Sequence, residues 1–117
     1  MISRPPDAII NAVERAAPGI YRWFFDRLNG AHRGLRIPTI TSYYRTPSKG
    51  ASVGGSTYSQ HLVGLGIDFV YPTKGERAAA LAALKRAGLI AIDEGDHVHV
   101  QALPASKSIP LLKWLGF

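Results

Sequence analysis

Residues 64–71 read GLGIDFVY, with an apolar side chain at every second position from Leu65 to Phe69. A period of two belongs to a β-strand rather than a helix. Leu65, Ile67 and Phe69 therefore face a core, while Gly64, Gly66 and Asp68 leave the opposite face as nearly bare backbone around one carboxylate. Residues 97–102 repeat the pattern, with Val98 and Val100 inward and His97, His99 and Gln101 opposite. If the two strands are neighbours, their titratable groups converge on one face of a sheet.

The remaining segments supply more strands and the helices to cover them. Residues 37–44 are β-branched and aromatic and read as a strand ending at Arg45, and residues 89–92 as a short one followed by a turn at 93–95. Pro5, Pro6 and Asp7 open a helix whose Ile9, Ile10, Val13 and Ala17 keep helical spacing until Pro18 and Gly19. A second helix, residues 20–28, ends at Asn29-Gly30, and its Tyr21, Trp23, Phe24 and Phe25 are read as core residues rather than a ligand-stacking platform, helical spacing burying several of them. Thr73 and Glu76 form a capping-box pattern before an alanine-rich helix that stops at Gly88. Residues 109–117 are too apolar for water and are expected to pack on the domain as a closing helical turn. The result is an α+β chain of one domain, 1–117, with N-terminal helices over 6–29, a motif-bearing core over 37–102 and a tail over 103–117. Between strand and motif, residues 46–59 are small and polar, a loop long enough to suspect function.

Composition narrows the chemistry. The chain has no cysteine, which excludes thiolate metal ligands and a cysteine nucleophile. Its net charge of +6 favours an anionic partner such as nucleic acid, an anionic lipid surface or a wall polymer. The basic residues are scattered rather than clustered, so no nucleic-acid stripe is expected. No apolar run approaches the roughly 20 residues that span a bilayer, and Pro5, Pro6, Asp7 and Glu14 interrupt the stretch where an export signal would need apolar residues.

His61, Asp68 and His99 are the candidate metal ligands. Two neutral imidazoles and one carboxylate offer three donors suited to zinc and leave a fourth position for water. Spacing alone leaves a second reading open, in which His61 and Asp68 are unconnected surface residues and His97 and His99 an exposed strand face. His32, beside Arg33 and Arg36, is expected to be solvated.

Ser59-x-His61-x-x-Gly64-x-Gly66-x-Asp68, followed by Asp96-x-x-His99, resembles the zinc D-Ala-D-Ala peptidases that cleave bacterial peptidoglycan, a family sharing its fold with the hedgehog signalling domain. Upstream, Thr41-Ser42-Tyr43-Tyr44-Arg45-Thr46-Pro47 is similar to that family's serine-glycine-tyrosine-arginine-serine segment. Three departures stand out: Gly66 replaces a frequent alanine, Asp96 stands where many members have glutamate, and Tyr43-Tyr44 replaces glycine-tyrosine.

The resemblance implies a small antiparallel sheet that carries one Zn2+ on His61, Asp68 and His99, flanked by helices. It implies Asp96 as general base, Arg45 as the group that steadies the substrate carbonyl or its oxyanion, and His97 as an assistant near the reaction centre. Asp93 and Glu94 are rival bases by proximity, and Ser59 either orients a ligand or caps a turn. The implied activity is a zinc peptidase, carboxypeptidase or endopeptidase, acting on peptidoglycan peptides. The alternative is a non-catalytic zinc-binding or wall-binding domain of the same fold. A basic monomer without an export signal would reach the wall by delivery, as a phage lysis enzyme or virion component does.

Overall fold

The computed structural model describes residues 3–47 and 58–117, so most of the 46–59 loop lies outside the described residues. Helices α1 (Asp7–Ala16) and α2 (Ile20–Ala31) are followed by strand β1 (Thr39–Ser42), a 3-10 turn (Gln60–Val63) and strand β2 (Gly66–Val70). Helix α3 (Lys74–Arg86), strands β3 (Ile90–Asp93) and β4 (Val98–Gln101) and helix α4 (Ala105–Trp114) complete the chain. The four strands form one antiparallel sheet in the order β1-β2-β4-β3. The expected α+β class is borne out.

Sheet register decides what the strands can do together. Asp68 pairs directly with His99, Ser42 lies across from Asp68, and Ile92 lies across from His99. Leu65, Ile67, Phe69, Val98 and Val100 are buried in one core with Val13, Phe24 and Leu28 of the N-terminal helices and Ala80 and Leu84 of α3. Parity then sends Asp68 and His99 to the opposite face. That face is not bare at β2: Asp68 is only 5% exposed, because the 3-10 turn packs over it.

Local signals account for most boundaries. Thr73 caps α3 by accepting the Glu76 backbone N–H at 3.1 Å, and the helix ends just before Gly88. The Glu76 side chain pairs with Arg36 instead of closing the capping box onto Thr73's backbone, so it ties α3 to the segment before β1.

Tertiary contacts overrule several expectations. Helix α2 runs through Asn29-Gly30 to Ala31, because Ala31 is buried and the extra turn continues the packed face. His32 then caps it and is not solvated: Nδ1 donates to the Leu28 carbonyl at 2.7 Å, Nε2 meets the Tyr71 hydroxyl at 2.5 Å, and the ring stacks on Tyr71. Strand β1 is shorter than expected and largely exposed, as an edge strand with Ile40 40% exposed. Of the α2 aromatics, Phe24 is fully buried and Phe25 reaches the surface. The tail forms a full helix from Ala105, anchored by Leu112, Leu111 and Leu115, and Trp114 on its outer side is 62% exposed. One packed face is all that a terminal helix needs, so the tryptophan was wrongly expected to be covered.

Candidate metal centre

The site is assembled from three short pieces of backbone. Ser59 caps the 3-10 turn, its hydroxyl oxygen accepting the His61 backbone N–H at 3.2 Å, so of its two expected roles the structure shows the closing of the turn. His61 is 2% exposed and sets Nε2 3.2 Å from Asp68 Oδ1. From the neighbouring strand His99, partly buried, sets Nδ1 3.0 Å from the same oxygen. One donor atom from each of the three residues lies within 4.8 Å of the others, the one such group of histidines and acids among the described residues.

Arg45 closes the remaining side. Its guanidinium donates to Asp68 Oδ2 at 2.9 Å and its Nε to Ser42 Oγ at 2.8 Å, while its backbone N–H donates to the His61 carbonyl at 3.0 Å. Arg45 therefore belongs to the cluster through both side chain and main chain.

The glycines make room for neighbouring protein atoms rather than for an open cavity. A Cβ on Gly66 would lie 3.1 Å from the His61 nitrogen and 3.4 Å from His99 Cε1. Gly64 has φ +70°, and a Cβ there would meet Pro5 Cγ at 2.5 Å and the Tyr43 hydroxyl at 2.7 Å. Gly66 lets the His61 turn sit down on β2, and Gly64 lets Pro5 and Tyr43 close against the end of that turn.

The outer nitrogens of the two rings decide what the inner ones present. His61 Nδ1 meets the Tyr43 carbonyl, an acceptor only, so Nδ1 carries the proton and Nε2 is a lone pair facing Asp68. His99 Nε2 meets Gln101 Oε1 at 2.9 Å, which leaves Nδ1 as a lone pair facing the same carboxylate. Two imidazole lone pairs aimed at a carboxylate oxygen repel unless a cation sits among them.

In the absence of a metal a proton can take the place of that cation, with the ring nitrogens then donating to Asp68. Burial pulls the Asp68 carboxyl up, but hydrogen bonds and charge from His61 and His99 outweigh it and hold Asp68 well below the usual carboxylate range. Burial pulls His99 down, and its bonds to Asp68 and Gln101 overcome that and raise it. The donor set, two imidazoles and one carboxylate with their outer nitrogens satisfied, fits zinc and leaves further coordination free.

Asp96 and His97 form a separate pair in the turn before β4. His97 Nδ1 donates to Asp96 Oδ1 at 2.6 Å, and this bond holds the Asp96 carboxyl below its ordinary value. The Asp96 side chain is 89% exposed and free to meet a substrate. Of the rival acids, Asp93 accepts the Gly95 N–H at 3.0 Å and pairs with Arg77 at 3.7 Å, whereas Glu94 lies 3.5 Å from His97 Nε2. Two contributors escaped the reading of the sequence, the Tyr43 carbonyl and Gln101. A backbone carbonyl leaves no mark in a sequence, but the shared strand parity of Gln101 and His99 was a usable signal.

Comparison with known proteins gives one positive finding. A family model described as Peptidase M15 matches residues 23–101, a stretch that includes Arg45, His61, Asp68, Asp96 and His99. No curated protein and no solved structure matches the chain.

Proposed function

The chain belongs to the peptidase M15 family of zinc-dependent peptidases, and from that premise we propose that it hydrolyses peptide bonds in the stem or cross-link of bacterial peptidoglycan with one zinc ion on His61, Asp68 and His99. The observation that carries this reading is the convergence of two imidazole lone pairs on the Asp68 carboxylate.

Zinc at such a site supplies a Lewis acid and brings the pKa of water down toward neutrality. Asp96, ionised and exposed, takes a proton from the attacking water and returns it to the leaving amine nitrogen as the carbon–nitrogen bond breaks. His97 holds the Asp96 carboxylate through their hydrogen bond. Arg45 brings a permanent positive charge against the cluster and steadies the carbonyl oxygen as it gains negative charge, a type of contact whose loss costs on the order of 10² to 10³ in rate.

The net charge of +6 suits an anionic wall polymer. No helix among the described residues is long and apolar enough to cross a membrane, and the reading places the enzyme at the wall after delivery, as a lysis enzyme or part of a phage particle.

Digestion of purified peptidoglycan tests this, with products read by mass spectrometry. Peptide fragments each carrying one added water should appear, disappear with a chelator and return with zinc, and their masses identify the bond. Intact peptides at full zinc occupancy would instead favour a zinc-binding domain without hydrolysis.

A further inference from the structure

We propose that Gln101 is a positioning residue of the metal centre, which fixes the tautomer of His99 so that Nδ1 is the ligating atom. The proposal rests on the metal centre described above and concerns a residue that is neither a ligand nor a base.

The carboxamide of Gln101 has only one workable orientation. Its Nε2 donates to the Leu103 carbonyl at 3.0 Å, and its Oε1 faces His99 Nε2 at 2.9 Å. Flipping the amide would set Oε1 against the Leu103 carbonyl, two acceptors face to face, and would aim N–H groups at His99. Leu103 cannot move to accommodate that. Gln60, 2% exposed, grips it from the other side, accepting the Leu103 N–H at 3.0 Å while its own amide donates to the Leu103 carbonyl. Gln60 is also the first residue of the turn that carries His61. Leu103 is thus a joint between the two histidine-bearing elements, and the orientation set there is passed through Gln101 to His99.

The consequence for metal binding follows from the alternative. With no acceptor at Nε2, a neutral His99 is free to carry its proton on Nδ1, where Asp68 Oδ1 at 3.0 Å accepts it in a favourable hydrogen bond. That proton would occupy the position the ion needs, and binding would have to displace it. Gln101 removes this competitor by holding the proton on the far nitrogen, a role of the kind whose loss costs about 10- to 100-fold in metal affinity.

Three variants and two readouts test it. Gln101→Leu removes the acceptor, Gln101→Lys replaces it with a donor at a partly exposed position that tolerates a long chain, and Gln101→Glu keeps an acceptor for His99 while the Leu103 carbonyl, losing the Gln101 amide, retains that of Gln60. Zinc affinity is measured by competition with a chromophoric chelator, and imidazole nitrogen shifts are read by NMR at alkaline pH in the metal-free and zinc-loaded proteins. Zinc affinity should fall about 10- to 100-fold in the Leu and Lys variants, with His99 shifting toward the Nδ1–H form when metal-free, while the Glu variant keeps the wild-type tautomer and binds no more weakly than wild type. Wild-type tautomer and affinity in both the Leu and Lys variants would overturn the role of Gln101 and leave the metal centre standing. A wild-type protein that takes up no zinc would overturn the centre itself, and the metal-free tautomers would still decide what Gln101 does.

Discussion

Purified His61→Ala protein should contain no zinc after dialysis against a weak chelator, under conditions in which the wild type keeps one ion per chain. His61 supplies one of three protein donors, and the scale is set by structural zinc sites in zinc-finger peptides, which bind with about 10–16 kcal/mol in all. Losing one donor removes roughly a third of that, about 3–5 kcal/mol, or a Kd about 10² to 10⁴-fold weaker. The substitution also empties a fully buried position and takes a partner from Asp68, which keeps Arg45 and His99. A folding defect of about 2–4 kcal/mol is therefore expected alongside the metal defect. Thermal unfolding with and without zinc separates the two. Wild type gains stability from the ion by mass action, and the variant should gain none at the same zinc concentration. Zinc retained at full occupancy would remove His61 from the ligand set.

Asp96→Asn should show the opposite pattern, with full zinc content and hydrolysis reduced by about 10² to 10⁴-fold. Asparagine matches aspartate in shape and still accepts the His97 Nδ1–H, so the turn before β4 should be undisturbed. Its side chain lies at the surface, where such a change alters stability by no more than about 0.5 kcal/mol. What it cannot do is take a proton. Turnover of a peptidoglycan peptide, measured beside zinc content on the same preparation, checks this, and an active Asp96→Asn enzyme would transfer the base to another residue. Glu94, close to His97 Nε2, is the first to try.

Much of the site could be read from the sequence because strand parity is a strong local rule. It put Asp68 on one face of its strand and His99 on the corresponding face of another, and the register of β2 with β4 places them directly opposite. Donor chemistry added His61, and the family-like spacing added Arg45 and Asp96, none of which periodicity alone could connect to Asp68.

What sequence could not supply depends on contacts between distant residues. His32 looked solvated among arginines, yet one more turn of α2 carries it onto Phe69 and Tyr71. Trp114 looked buried because its segment is apolar, yet a terminal helix covers only one of its faces. The glycines at 64 and 66 were legible as missing side chains, but what occupies the space, the Tyr43 hydroxyl and the turn bearing His61, was not. Gln60, Leu103 and Gln101 form a chain of contacts that only the folded structure brings together.

Crystals grown with zinc and measured on both sides of the zinc absorption edge test the metal centre most directly. One anomalous peak is expected, at about 2.0–2.2 Å from His61 Nε2, an Asp68 carboxylate oxygen and His99 Nδ1. A peak bound instead by Glu94, Asp96 or His97, or no peak at all in zinc-soaked crystals, would contradict the account.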